Sequence, residues 1–281
     1  MTSPKSSDFG IGITKDFSLR VSVATLSKLL FHHPVDQRLM LGLERTATFR
    51  QVNEQSIVVV KAQPFGGGVQ ILDLHGLRNQ IGDFRFDSPR SRAESDFRVQ
   101  IRPQNWKRVE ELCLRQFRGE EEMIIESHPD RELVEEFRDA LGVEITPDQY
   151  QVKHLGVVIE DTPRATNSIR AAGALTVRVY NTFEVLIKNP SLIRTILENS
   201  QRYNDQDLRN LAQKEAEYGG RGRANAVLSL PLDDLKERFL SSPLKKRNRS
   251  IQVESHLLDE NVLAVFEDVP TLRYRWIRLN R

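Results

Sequence analysis

The stretch Ser127-His128-Pro129-Asp130-Arg131-Glu132-Leu133-Val134-Glu135-Glu136-Phe137-Arg138-Asp139-Ala140-Leu141 decides how the chain is read. A helix turning once per 3.6 residues puts Glu132, Glu135, Glu136 and Asp139 on one face, and Leu133, Val134, Phe137, Ala140 and Leu141 on the other. Such a helix docks by its apolar stripe while gathering the hard oxygen donors that a divalent cation such as Mg²⁺ takes. The competing reading is a solvated acidic surface over 120–136, with negative charge placed near a helix N-terminus where the dipole favours it. Pro129 suits a first turn, and Ser127 with Asp130 has the spacing of a cap.

Outward from this helix the apolar pattern alternates between strand and helix periods. Strands are expected at 46–49, 56–62, 69–74 and 96–101, then a helix at 104–117 carrying Trp106, Val109, Leu112 and Cys113. After Gly142 strands return at 151–159 and, as the longest run, 174–187. Two helices over 191–218, broken near 203–205, stop at Gly219-Gly220-Arg221-Gly222. A strand at 226–230, a short helix at 232–240, an exposed basic loop at 245–249 and strands at 262–266 and 272–279 complete the chain. Interleaved elements without a fixed-period repeat point to an α/β or α+β architecture.

Pro64-Phe65-Gly66-Gly67-Gly68-Val69 makes a Gly-rich turn after the apolar run 57–60, and it lies 63 residues before Arg131 when counted from Gly68. With Arg131-Glu132-Leu133-Val134-Glu135-Glu136 it resembles the Nudix box, whose second half runs Arg-Glu-apolar-any-Glu-Glu and then any-Gly-apolar. The likeness stops at Glu136. Arg138 stands where the pattern has Gly, and the nearest Gly-apolar ending, Gly142-Val143, comes four residues late. The box normally joins its Gly turn to its helix closely, through another Glu that has no convincing counterpart here, so an insertion at about 69–128 is needed to reconcile the two halves. The resemblance covers about 45–190, and its specific part is six residues long.

That resemblance implies an α+β fold, a mixed sheet flanked by helices in a Nudix-like sandwich. Residues 1–18 lack apolar periodicity and read as a flexible leader; the resemblance puts a domain at 19–190 containing the insertion, with a helical and strand extension at 191–281 packed on it. It also implies Mg²⁺ or Mn²⁺ held by Glu135 and Glu136, with Glu132 as a ligand or as the group that activates water. Arg131 would orient the carboxylates, Gly67 would offer a backbone carbonyl, and Glu184 in the long strand would add a carboxylate. The expected reaction is metal-dependent cleavage of a nucleoside diphosphate-linked substrate, with Arg90, Arg92 and Arg98 stabilising phosphate charge. The incomplete box equally suits a non-catalytic nucleotide-sensing or protein-interaction module. A nucleic-acid-processing or nucleic-acid-binding protein ranks third.

Composition limits the alternatives. The 281 residues carry 41 Lys+Arg against 39 Asp+Glu, a net charge of +2, so nucleic acid or membrane binding would need a local patch rather than the field of the whole molecule. Cys113 is the only cysteine, which excludes an intrachain disulfide and a cysteine zinc site, and suits a reducing cytoplasm. No apolar run approaches a membrane span or a signal sequence, so the expectation is a cytoplasmic protein without a membrane partner. The loop 86–98 weakly suggests a nuclease core, but Asp96 stands where such a core has Lys, and a salt-bridged loop is the stronger reading. His32-His33-Pro34 reads as a loop or helix end, because adjacent histidines share no helix face. Lys245-Lys246-Arg247-Asn248-Arg249 has no interleaved aromatics and reads as a solvated loop, while Tyr274 and Trp276 alternate with arginines as in a half-buried strand.

Overall fold

The 14-residue strand β1, Leu19–His32, is buried along nearly its whole length and organises everything else. In the computed structural model, residues 18–52, 55–166, 171, 173–202, 206–207, 209–210, 213, 226–235, 251–253, 256–258, 260–267 and 273–279 are described. β1 lies parallel to β7 (Leu175–Ile187) from Arg20 to Leu30. Its other edge changes partner along its length. β5 (Arg98–Ile101) pairs with Leu19 to Ser22, and β2 (Leu39–Val52) pairs with Leu29 to His32. Between them the Gly-rich turn itself fills the sheet: Thr25 N donates to Gly67 O at 2.9 Å and Ser27 N to Phe65 O at 2.7 Å.

The result is an α+β fold on a mixed sheet, eleven-stranded among the described residues, whose main path runs β11-β6-β7-β1-β2-β3-β10-β9. Its other members are β3 (Gln55–Gln63), β4 (Phe84–Phe86), β6 (Tyr150–Ala165), β8 (Ala226–Pro231), β9 (Ile251–Val253), β10 (His256–Leu258) and β11 (Arg275–Ile277). β4 pairs with β5, and β8 with β2, off that path. Strands from beyond residue 190 are therefore hydrogen-bonded into the same sheet as those before it.

Alternation along β1 separates two faces. Val21 and Val23 pack with α3 (Trp106–Arg118), and Leu29 and Phe31 pack with α4 (Asp130–Leu141) and α5 (Pro190–Arg202). Ala24, Leu26 and Leu30 face the opposite way, into a core closed by β8, residues 232–235 and a 3-10 helix at Glu260–Val265. α4 forms as its periodicity predicts, burying Leu133, Phe137 and Ala140 and ending at Gly142, whose left-handed φ of 68° suits glycine. Each fully buried apolar side chain contributes about 1.5–3 kcal/mol to docking.

Several expectations are corrected. Residues 69–74 form isolated bridges rather than a strand, and α1 (Leu74–Ile81) begins there because Asp73 accepts from His75 N at 2.9 Å and caps it. Residues 262–265 coil into the 3-10 helix, with Phe266 just past its end; a short run buried on all sides has no periodicity to separate helix from strand. Pro129 is the α4 N-cap with no side-chain cap bond, and Asp130 instead accepts from Tyr150 Oη at 2.8 Å. The strand at 46–49 extends to Leu39–Val52, while that at 272–279 shortens to Arg275–Ile277. The leader to residue 17, the break at 203–205, the turn at 219–222 and the basic loop at 245–249 lie outside the described residues. Among the described residues no helix is long and apolar enough to cross a membrane.

Candidate functional site

Gly68 and Arg131 are 63 positions apart in the chain, and the fold brings them into contact. Arg131 Nη2 donates to Gly68 O at 2.9 Å. The Glu132 carboxylate lies so close over Gly67 that a Cβ there would meet its Cδ at 2.6 Å and Oε1 at 2.9 Å. Gly68 is equally confined, since its Cβ would stand 2.8 Å from Oδ1 of Asp96. Successive residues of an extended segment point to opposite faces, so Gly67 makes room for an acid on the helical face of the sheet and Gly68 for one on the other. The turn lies where β1 exchanges β5 for β2, a gap that regular strand pairing leaves open.

Arg131 is the hub of the helical face. Its Nε and Nη2 engage Glu126 at 3.1 and 2.7 Å, Nη2 reaches Glu132 Oε1 at 2.6 Å and Nη1 reaches Glu135 Oε2 at 3.1 Å. Burial acts to lower its pKa, but the hydrogen bond to Glu126 and the charges of Glu132, Glu126 and Glu135 raise it above the ordinary arginine value. The guanidinium thus remains a fixed cation. Glu126 is a site residue that the sequence reading missed. It lies five residues before Arg131 in irregular chain, outside any helical period, and its backbone is held by a 2.9 Å bond from Glu126 N to Gln70 O.

Deeper in the same region Glu136 meets Glu44, a β2 residue that is only 3% exposed. Gln63 Nε2, paired across β2 and β3, donates to Glu44 Oε2 at 2.9 Å. Oε2 of Glu136 is buried with no hydrogen-bond partner. Burial first, and then the charge of Glu44, push the Glu136 pKa far up; burial likewise raises Glu44. Burial also raises Glu132, against the opposing charge of Arg131, to about 7. Two carboxyls packed together out of water favour holding a proton between them. Glu44 sits in an alternating strand like any outward-facing acid, and only the docking of α4 over β2 reveals it.

The other predicted residues are divided between locations. Glu135 is half exposed, at the outer edge of the Arg131 network. Arg90 pairs with Glu94 on α2 (Pro89–Ala93), and Arg92 is exposed on the same short helix. Arg98 alternates with Val99 and Ile101, which pack beneath α3, so it stands on the far face of the sheet and bonds Asp96 at 2.8 Å. Glu184 is likewise on the far face, in register with Lys28 and paired with it at 3.6 Å. The structure therefore brings Gly67, Arg131, Glu132, Glu135 and Glu136 together, and places neither Arg98 nor Glu184 with them.

Hard oxygen donors and an unpartnered buried carboxylate oxygen match the chemistry of a divalent cation. Among the described residues, however, no group of three or more His, Cys, Asp or Glu side chains stands arranged to hold one. Arg131 engages Glu132 and Glu135, while Glu44 engages Glu136. A groove of about 500 Å³ lined by His32, Pro34, Pro190, Ile193 and Leu197 lies at the end of β1 and contains none of these acids. Beside it, His33 pairs with Asp36 in the turn that joins β1 to β2. No family model, curated protein or solved structure matches the chain.

Proposed function

We propose that the protein is a divergent Nudix-type hydrolase that cleaves a nucleoside diphosphate-linked substrate with Mg²⁺ or Mn²⁺. The observation that carries the reading is the packing of the Gly67-Gly68 turn against Arg131 and Glu132 across the 63-residue separation. Two sequence halves that resemble one motif meet in space, and Glu126 supplies the carboxylate partner that the sequence lacks at the usual place in that motif.

In this reading Glu132, Glu135 and Glu136 hold the cation, with the Gly67 carbonyl, which already accepts from Thr25 N, offering its second lone pair. The bound cation supplies charge neutralisation for the diphosphate and an acidified water. Glu126 anchors Arg131, and Arg131 fixes the rotamers of Glu132 and Glu135. Glu132, with its pKa raised to about 7, is suited to accept a proton near neutral pH. Glu44, clamped by Gln63, fixes Glu136 from below. Arg90 and Arg92 remain the candidates for contact with the departing phosphate.

The test is release of phosphate or nucleotide from a panel of nucleoside diphosphate derivatives with Mg²⁺ or Mn²⁺, comparing wild type with a Glu135→Gln/Glu136→Gln double variant. Metal-dependent turnover that the double variant loses supports the reading. Absence of turnover in a folded wild type overturns it and favours the second reading, a non-catalytic nucleotide-sensing or protein-interaction module. The observation on that side is the engagement of Arg131 with three glutamates, an arrangement that is complete without a cation.

A further inference from the structure

The turn that joins β1 to β2 faces α5 across the groove of about 500 Å³, a size within the range of small-molecule sites. Pro190, Ile193, Arg194, Leu197, Glu198 and Gln201 recur at helical spacing and line it as one stripe of α5. Both walls are held by their own hydrogen bonds. On the turn side His33 N donates to Arg38 O at 2.9 Å and Gln37 N to His33 O at 3.0 Å, while the His32 ring meets Gln37 O at 3.1 Å. On the helix side Asn189 Oδ1 accepts from Ser191 N and Leu192 N, both at 3.0 Å, and Leu192 and Ile196 anchor α5 in the core with Leu133 and Phe137. Pro34 and Pro190 add apolar edges of fixed φ. The groove is therefore pre-formed.

Its lining combines an apolar surface with two opposite charges. Ile193 and Leu197 are half-buried, and with Pro34 they form the apolar part. Arg194 and Glu198 are exposed and stand one helical turn apart, a spacing at which opposite charges ordinarily meet. Among the described residues, however, neither the Arg194 guanidinium nor the Glu198 carboxylate has a hydrogen-bond or ion-pair partner. An anion alone would suit Arg194 and be repelled by Glu198, and a cation alone would do the reverse. A molecule that carries a carboxylate and an ammonium on one carbon suits both, and an aliphatic tail on that carbon suits the apolar part.

We propose that this groove binds a free α-amino acid with a branched aliphatic side chain. Arg194 pairs with the ligand carboxylate, which its planar fork matches, and Glu198 accepts from the ligand ammonium. The aliphatic side chain lies against Ile193, Leu197 and Pro34, taking apolar surface of both partners out of water. The site shares no residue with the acidic helix and is independent of hydrolysis at α4.

Titration of the full chain with L-leucine, by calorimetry and by ligand-observed NMR, tests the assignment against three analogues. L-leucinamide lacks the carboxylate, 4-methylpentanoate lacks the ammonium and glycine lacks the side chain. Wild type is expected to bind L-leucine and to bind each analogue about tenfold more weakly. Arg194→Gln weakens L-leucine binding about tenfold and removes the preference for L-leucine over L-leucinamide. Glu198→Gln weakens it similarly and removes the preference over 4-methylpentanoate. Both substitutions put a good helix former at an exposed position of α5, so the fold is retained, which the melting temperature checks. If a variant fails to fold, the analogue series on wild type decides alone. Absence of L-leucine binding to wild type, equal binding of any analogue, or L-leucine binding that survives both substitutions overturns the proposal.

Discussion

Replacing Gly67 with Ala isolates the contact on which the functional reading rests. The added methyl group falls 2.6 Å from Cδ of Glu132, inside van der Waals distance, and Glu132 is only 6% exposed and tied to Arg131. Moving the carboxylate aside breaks a charged hydrogen bond, a loss of about 1.5–3 kcal/mol. The smaller entropy of the unfolded chain returns about 0.4–1 kcal/mol, since Gly67 does not have a left-handed φ that Ala would resist. Net destabilisation is about 2 kcal/mol, read in urea unfolding as a lower midpoint at constant slope. The same substitution in a Glu132→Ala background should stabilise by the entropy term alone, about 0.4–1 kcal/mol, giving a coupling energy of about 2.5 kcal/mol in the double-mutant cycle. Equal effects in both backgrounds would refute the packing of turn against helix, and the functional reading with it.

Other outcomes follow from the same geometry. The raised pKa values of Glu132 and Glu136 mean that the folded state holds protons which the unfolded chain releases above about pH 4.5. Their contribution is present at low pH and is lost as pH rises, for Glu132 by about pH 7 and for Glu136 further up. Glu136→Gln, which mimics the protonated acid, should therefore stabilise the protein at pH 8 more than at pH 5 in melting curves. Phe137→Ala removes a fully buried ring whose centroid lies 5.3 Å from that of Phe65, and should cost about 3–5 kcal/mol by urea titration. Glu160→Gln leaves Arg164, Arg178 and Arg273 around a neutral amide and should destabilise by about 3–5 kcal/mol in urea titration.

The acidic helix is legible because one period decides it: Leu133, Phe137 and Ala140 are buried as the apolar stripe, although Glu132 is buried beside them and, of its glutamates, Glu135 alone stands half exposed. The Gly turn was legible as a turn, but its company was not. Glu126 and Glu44 approach Arg131 and Glu136 through tertiary packing, which no spacing in the chain encodes. β1 escaped notice for the reason that makes it central. Burial on both faces erases the alternation that marks a strand, leaving Leu19–His32 as a mixture of apolar and small polar residues. Arg98 and Glu184 had suitable chemistry for the site, yet strand parity sends both to the far side of the sheet.

The central position of β1 also sets an order of assembly. Its parallel partner β7 lies about 150 residues further along the chain, so the main-chain groups on that side of β1 find no mates until residue 187 has been added. Until then a long apolar strand waits with one edge unpaired, the condition in which nascent chains associate with one another. Folding of this protein is thus a late, long-range event. A chain truncated before Leu175 should partition into aggregates even though the acidic helix and its Gly turn have both been synthesised.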